Sequence, residues 1–224
     1  MISHEHKCIF IHIPKCAGTS IEAALGHLDG HVGRGGQDHR SIRRIEAPFL
    51  QPEILSGREN AMEALRRVRH RYRSHLNFRN KITVTRQQYE TYFKFTIVRN
   101  PWTRAYSWYR NVIKNDVLKR ELNIDGDIPF NLFLKKFAGK GMLRPQTYWL
   151  KNFKGAFPLD YVGRFENLSD DFRICCANMN VEPIDLPHRN NSRIANFDDA
   201  YDGESIDLVA SVYKEEIELF GYSF

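Results

Sequence analysis

Two runs of the chain constrain its fold more than any other feature. "KCIFIHI" (7–13) and "YFKFTIV" (92–98) are short and rich in large apolar and β-branched residues. Each is followed closely by a proline, Pro14 or Pro101, and then by a stretch with helical spacing. A buried strand that feeds a helix returns to the sheet as a parallel neighbour. "DYVGRF" (160–165), followed by a helical stretch over 169–178, repeats the grammar. The alternation predicts an α/β fold: a P-loop-like, three-layer arrangement with a central, mainly parallel sheet flanked by helices. The 224 residues show neither a repeat nor a linker, so one domain over 1–224 is expected.

Further helices are expected over 18–28, with Ile21, Ala24, Leu25 and Leu28 on one face, and from Pro101 to about Lys114. Glu53 to His75 is helix-prone, with Met62, Leu65 and Val68 at helical spacing among many arginines. Residues 130–138 suit a short helix, and a last one starts near Ser205 and carries Ile206, Val209, Tyr213, Ile217 and Phe220. Residues 29–40 hold four glycines and read as a loop.

Charge is unevenly placed. The net charge is +6, yet Arg58–Arg86 alone carries nine Lys/Arg against two Glu, and 195–224 carries one Lys against eight Asp/Glu. The basic block suits a solvated helix face or an anionic partner: nucleotide phosphates, nucleic acid, an acidic glycan or a membrane surface. Apolar runs are too short to span a bilayer, and the N-terminus lacks the pattern of a signal peptide, so a cytoplasmic enzyme is expected. Four irregularly spaced cysteines lack zinc spacing and read as reduced thiols.

"IFIHIPKCAGTS" (9–20) has the outline of a phosphate loop, but its lysine, Lys15, stands at the front of the turn. The nucleotide loop G-x-x-x-x-G-K-[ST] puts lysine directly before the hydroxyl residue. The stretch reads as an anion-binding loop or as a plain strand–helix turn. In the first reading Gly18 allows close backbone approach, Thr19 and Ser20 add hydroxyls, and Lys15 adds charge. In "VRNPWTRAYSWY" (98–109), Arg99 sits at the carboxyl end of its strand, where ligands of open α/β sheets bind, and Ser107 lies two helical turns on.

Together these stretches resemble the sulfotransferases, most closely the carbohydrate-type (family 2) branch. "LRPQTYWL" (143–150), "DYVGRFENLSDDF" (160–172), "LPHRNNS" (186–192) and "YKEEIELFGYSF" (213–224) extend the resemblance over nearly the whole chain. Residues 29–85 match poorly and read as a variable, acceptor-facing insert. The resemblance implies 3′-phosphoadenylyl sulfate (PAPS) as donor, 3′,5′-diphosphoadenosine (PAP) as product, and no metal. It implies an acceptor hydroxyl on a carbohydrate rather than a nucleic-acid partner. It assigns Lys15, Cys16, Ala17, Gly18, Thr19 and Ser20 to the 5′-phosphosulfate, and Arg99 with Ser107 to the 3′-phosphate. Phe165 is either an adenine-stacking surface or a core residue.

Lys15 is the expected stabiliser of the leaving phosphate. His39 resembles a histidine found between the two main motifs and is the candidate general base. His12 is a second candidate for base or acceptor contact, with His31, His75 and Glu22 behind it. Gln146 is a candidate for positioning acceptor or cofactor, and His188, Asn190 and Ser192 for bordering the cofactor. The competing classes are a P-loop kinase or nucleotide-binding protein and a non-catalytic anionic-glycan or nucleic-acid binding module.

Overall fold

A computed structural model describes residues 1–33, 35–186 and 197–224. In chain order its strands are β1 (Ile2–Ser3), β2 (Cys8–Ile11), β3 (Phe93–Val98) and β4 (Tyr161–Arg164). The first helices are α1 (Gly18–Ala24), α2 (Ile42–Ile45), α3 (Arg58–Tyr72), α4 (Arg86–Thr91), α5 (Pro101–Ile113) and α6 (Asp116–Glu121). They are followed by α7 (Phe130–Phe137), α8 (Thr147–Leu150), α9 (Leu168–Asn178), α10 (Gly203–Val212) and α11 (Lys214–Phe220). The described residues group into two compact units. The first comprises Met1–Ile13, Ala17–Val98 and 148–186; the second comprises Pro14–Cys16, Arg99–Thr147 and 197–224.

The first unit holds the whole sheet, in the order β1-β2-β3-β4. β2 pairs in parallel with β3, Phe10 opposite Phe95, and β3 pairs in parallel with β4, Val98 opposite Arg164. Only the two-residue β1 is antiparallel. Every residue of β2 is buried and all but the first of β3, which is why these runs do not alternate. Gly163 in β4 is set by packing, because a Cβ there would lie 2.6 Å from Ile97 Cδ1.

The second unit is built around α5. Asn100 caps it, accepting from the N–H groups of Trp102 and Thr103, and Pro101 occupies its first turn. Trp102, Ala105, Trp108 and Val112 on α5 pack with Phe130, Phe133 and Leu134 of α7 and with Val209 and Tyr213. The terminal Phe224 lies edge-on to Trp102 and Tyr201.

Three expectations need correction. The first helix stops at Ala24, not Leu28, because Gly26 turns the chain with φ +70°. The long basic helix begins only at Arg58, and Met62, Leu65 and Val68 are largely exposed. Its buried residues are Glu63 and Ala64, because a carboxylate network replaces apolar contact on that face. The terminal helix is broken at Tyr213, whose hydroxyl is drawn to the carbonyl of Leu143 at 2.6 Å. All four cysteines are buried free thiols. No described helix is long and apolar enough to cross a membrane.

Candidate active site

In the first unit, β2 delivers His12 beneath the start of α1. Gly18 lies so close that a Cβ on it would stand 2.0 Å from His12 Cδ2 and 2.2 Å from Nε2. The glycine is thus required on its protein side, by the imidazole. His12 is 2% exposed, and burial pushes its pKa down to about 3. His12 was expected at the acceptor, but Gly18, Phe10 and His39 wall it in. Its Nδ1 is 3.1 Å from Glu22 Oε1 but off hydrogen-bond geometry. Glu22 Oε1 accepts instead from the Asp38 N–H, and burial raises the carboxyl's pKa.

The ring of His39 rests against that of His12, with centroids 4.1 Å apart. His39 Nδ1 is 3.3 Å from the His12 carbonyl oxygen. A carbonyl only accepts, so Nδ1 carries the proton and Nε2 keeps its lone pair. Burial, then His12, lowers the His39 pKa to about 3, so the ring stays neutral through the physiological range. The surrounding glycine-rich loop is fixed by Asn77 Nδ2 and Asn80 Nδ2, which donate to the carbonyl of Gly36. A second clamp is Arg40, whose Nε and NH2 bind Asp38.

The turn that precedes α1 is strained. Lys15 (φ 71°) and Ala17 (φ 61°) are both left-handed without being glycine. Such residues cost on the order of 1–3 kcal/mol each and gather at functional sites. No side chain caps α1, whose first-turn N–H groups lack intrahelical acceptors in part. Ser20 N–H bends back to Ala17 O at 3.0 Å.

In the second unit, Pro14–Cys16 is held by arginines of the α5 segment. Arg104 Nε donates to Pro14 O (3.1 Å) and Arg99 NH1 to Lys15 O (3.0 Å). The Lys15 ammonium is lowered to about 8, first by burial and then by the Arg99 charge. Among the described residues no carboxylate is paired with Lys15. Cys16, expected to contact the cofactor, turns its thiol inward to Gln146 Oε1 at 3.4 Å and is 1% exposed.

Gln146 also departs from expectation. It is 0% exposed and wholly engaged with protein: Oε1 accepts from Arg99 N (2.9 Å), and Nε2 donates to Arg99 O (2.8 Å) and Glu216 Oε1 (3.0 Å). Glu216 also accepts from the Gln146 N–H. Gln146 therefore fixes the backbone of Arg99 and does not offer itself to an acceptor. Arg99 Nε donates to Thr103 Oγ1 at 3.2 Å. Ser107, 9% exposed, lies one helical turn beyond Thr103 on the same face of α5.

Phe165 is half-buried and opens the short turn after β4. His188, Asn190 and Ser192 lie outside the described residues. Sequence reasoning missed Thr103, although the i, i+4 spacing between Arg99 and Ser107 pointed to it. It also missed Glu216, which resembles any helix-surface glutamate until the fold buries it.

No curated protein matches the chain, and neither does any solved structure. A model of the sulfotransferase family matches residues 1–223, essentially the whole chain. The motifs at Pro14–Ser20 and Arg99–Ser107 and the parallel sheet that carries them agree with that match, and the chain belongs to the sulfotransferase family.

Proposed function

We propose that the protein transfers the sulfuryl group of PAPS to a carbohydrate hydroxyl. The observation that carries this reading is the crowding of two cations, Lys15 and Arg99, at a strained loop. Burial, and after it the Arg99 charge, lowers the Lys15 ammonium to about 8, and no carboxylate answers it among the described residues. An anion with more than one charged group is the ligand such a pair fits. PAPS supplies a sulfuryl group on a single 5′-phosphate, with a 3′-phosphate as second handle.

Each residue then has one task. The backbone of 17–20, with the Thr19 and Ser20 hydroxyls, holds the 5′-phosphate. Lys15 places its charge at the oxygen that becomes negative as the S–O bond breaks. Arg99, Thr103 and Ser107 hold the 3′-phosphate, and Gln146 and Glu216 keep Arg99 in register. His39 Nε2 takes the proton of the acceptor hydroxyl as its oxygen bonds to sulfur.

Calorimetry with PAP against ATP plus magnesium tests the donor. PAP is expected to bind and to be preferred; preference for ATP refutes the reading. Arg99→Ala is expected to weaken PAP binding far more than that of adenosine 5′-phosphosulfate, which lacks the 3′-phosphate. Equal losses would remove Arg99 from that task.

A further inference from the structure

In the first unit, α3 packs inside out. It buries Glu63, whose carboxylate accepts from Arg44 Nε (3.0 Å), Arg66 NH1 (2.8 Å) and the hydroxyls of Ser41 and Tyr148. Rotating the helix to hide its apolar residues would strip that carboxylate of its partners, so the outward face is imposed. On that face Met62, Leu65, Val68 and Tyr72 follow at spacings of three, three and four, which puts them in one stripe. All four are exposed, Tyr72 by 82%. Just past the helix, Leu76 and Phe78 are 77% and 71% exposed. Apolar side chains gathered in this way mark a surface that something else covers.

Arg58 stands four residues before Met62 and Arg69 four after Leu65, so both belong to the stripe; Arg71 and Arg73 follow at its C-terminal end. These four arginines are exposed and have no hydrogen-bond or ion-pair partner among the described residues. Both acids of the helix are engaged, Glu59 with Arg43 and Glu63 with Arg44 and Arg66. The face therefore presents apolar side chains and unanswered positive charge together. A second copy meeting it about a two-fold axis would set these guanidiniums against their own kind. A nucleic-acid backbone would engage the arginines and leave Met62, Leu65 and Val68 in water. An anionic bilayer surface answers both features: the apolar side chains enter the boundary between headgroups and acyl chains, and the guanidiniums snorkel to the phosphates.

We infer that the outward face of α3, continued by Leu76 and Phe78, docks the protein on an anionic membrane surface. The inference does not depend on the sulfotransfer reading. One flank of α3 borders a cleft of about 560 Å³ that is lined by Arg66, Arg69 and Arg73 and, from the facing loop, by His39. Arg58, Leu65, Arg71 and Tyr72 take no part in that lining, so they can be changed without touching it.

The test is co-sedimentation of the full chain with vesicles of phosphatidylcholine alone and with about 30% phosphatidylserine. Partitioning onto the anionic vesicles is expected to be at least about tenfold stronger, and to weaken as salt is raised. Leu65→Ser/Tyr72→Ser and Arg58→Gln/Arg71→Gln are each expected to reduce it by about tenfold or more, with Tm near that of the parent because all four side chains are exposed. Equal partitioning onto the two vesicle types by the parent chain overturns the inference without any variant, and so does either double variant that partitions like the parent. A chain that is dimeric without vesicles and becomes monomeric on Leu65→Ser/Tyr72→Ser overturns it in favour of a second copy. A single-stranded oligonucleotide that binds as tightly as the anionic vesicles overturns it in favour of nucleic acid.

Discussion

Replacing Gly18 by alanine puts one methyl group into a space that His12 already occupies. The new Cβ would meet three ring atoms at 2.0, 2.2 and 2.4 Å. Ordinary contact requires a retreat of roughly 1.5 Å. The imidazole has little room for it: Phe10 stacks at 5.9 Å, His39 lies at 4.1 Å, and the residue is 2% exposed. Overpacking of this kind costs about 1–3 kcal/mol, or about 2–12 °C in Tm for a chain of this length. The sign is diagnostic. Gly18 is a helical residue with no left-handed φ, and an unhindered Gly→Ala at such a site stabilises by about 0.4–1 kcal/mol.

The assay is thermal unfolding of Gly18→Ala, His12→Ala and the double variant. The expected coupling is about 1–3 kcal/mol, with Gly18→Ala harmless once the ring is gone. Turnover of Gly18→Ala should also fall, because displacing His12 displaces His39. A Tm at or above that of the parent, or additive effects in the double variant, would refute the packing argument and return Gly18 to a purely ligand-facing role.

Three further predictions concern charge. The Lys15 pKa is lowered to about 8, so its positive charge is present below that pH and lost as pH rises through it; kcat/KM should be level from about pH 5 to 7 and decline above about 8, and a rate still rising at pH 10 would exclude Lys15. The Glu63 pKa is depressed from 4.5 to about 2 by Arg44, Ser41 and Tyr148, so its stabilisation is present above about 4.5 and lost as pH falls toward 2. That is worth about 3 kcal/mol in full and about 2 kcal/mol between pH 6 and pH 3, and denaturant titrations at those two pH values should show Glu63→Gln shrinking the difference by about that amount. Glu216→Gln would turn an amide N–H toward the donors of Gln146, costing about 1–3 kcal/mol in unfolding and weakening PAP binding severalfold through Arg99; unchanged PAP affinity would break the proposed link from α11 to the 3′-phosphate.

Cys8–Ile11 and Phe93–Val98 were legible because parallel strands buried on both faces leave continuous apolar runs. Tyr161–Arg164, only partly buried, was legible through the helical stretch that follows it. The short helices α2, α4 and α6 were not, since four to six residues carry too little periodicity to read. Met62, Leu65 and Val68 misled for the opposite reason: their spacing is helical, but the helix buries Glu63, and the partners Ser41, Arg44, Arg66 and Tyr148 make that favourable. Of the candidate site, the loop and the Arg99 segment were visible as local motifs. Their supports were not, because Gln146 and Glu216 lie 47 and 117 residues beyond Arg99.

From the sequence alone came the donor-side motifs, the parallel sheet and the family resemblance, because each is written in contiguous residues whose spacing follows strand and helix geometry. The tertiary structure decided which side chains those motifs press against. It made Gly18 the seat of His12, turned Gln146 from a substrate contact into a brace for Arg99, and set His39 on the wall of an arginine-lined cleft. The physical reason is that close packing and charge pairing depend on distances between residues far apart in the chain, and no local pattern encodes them.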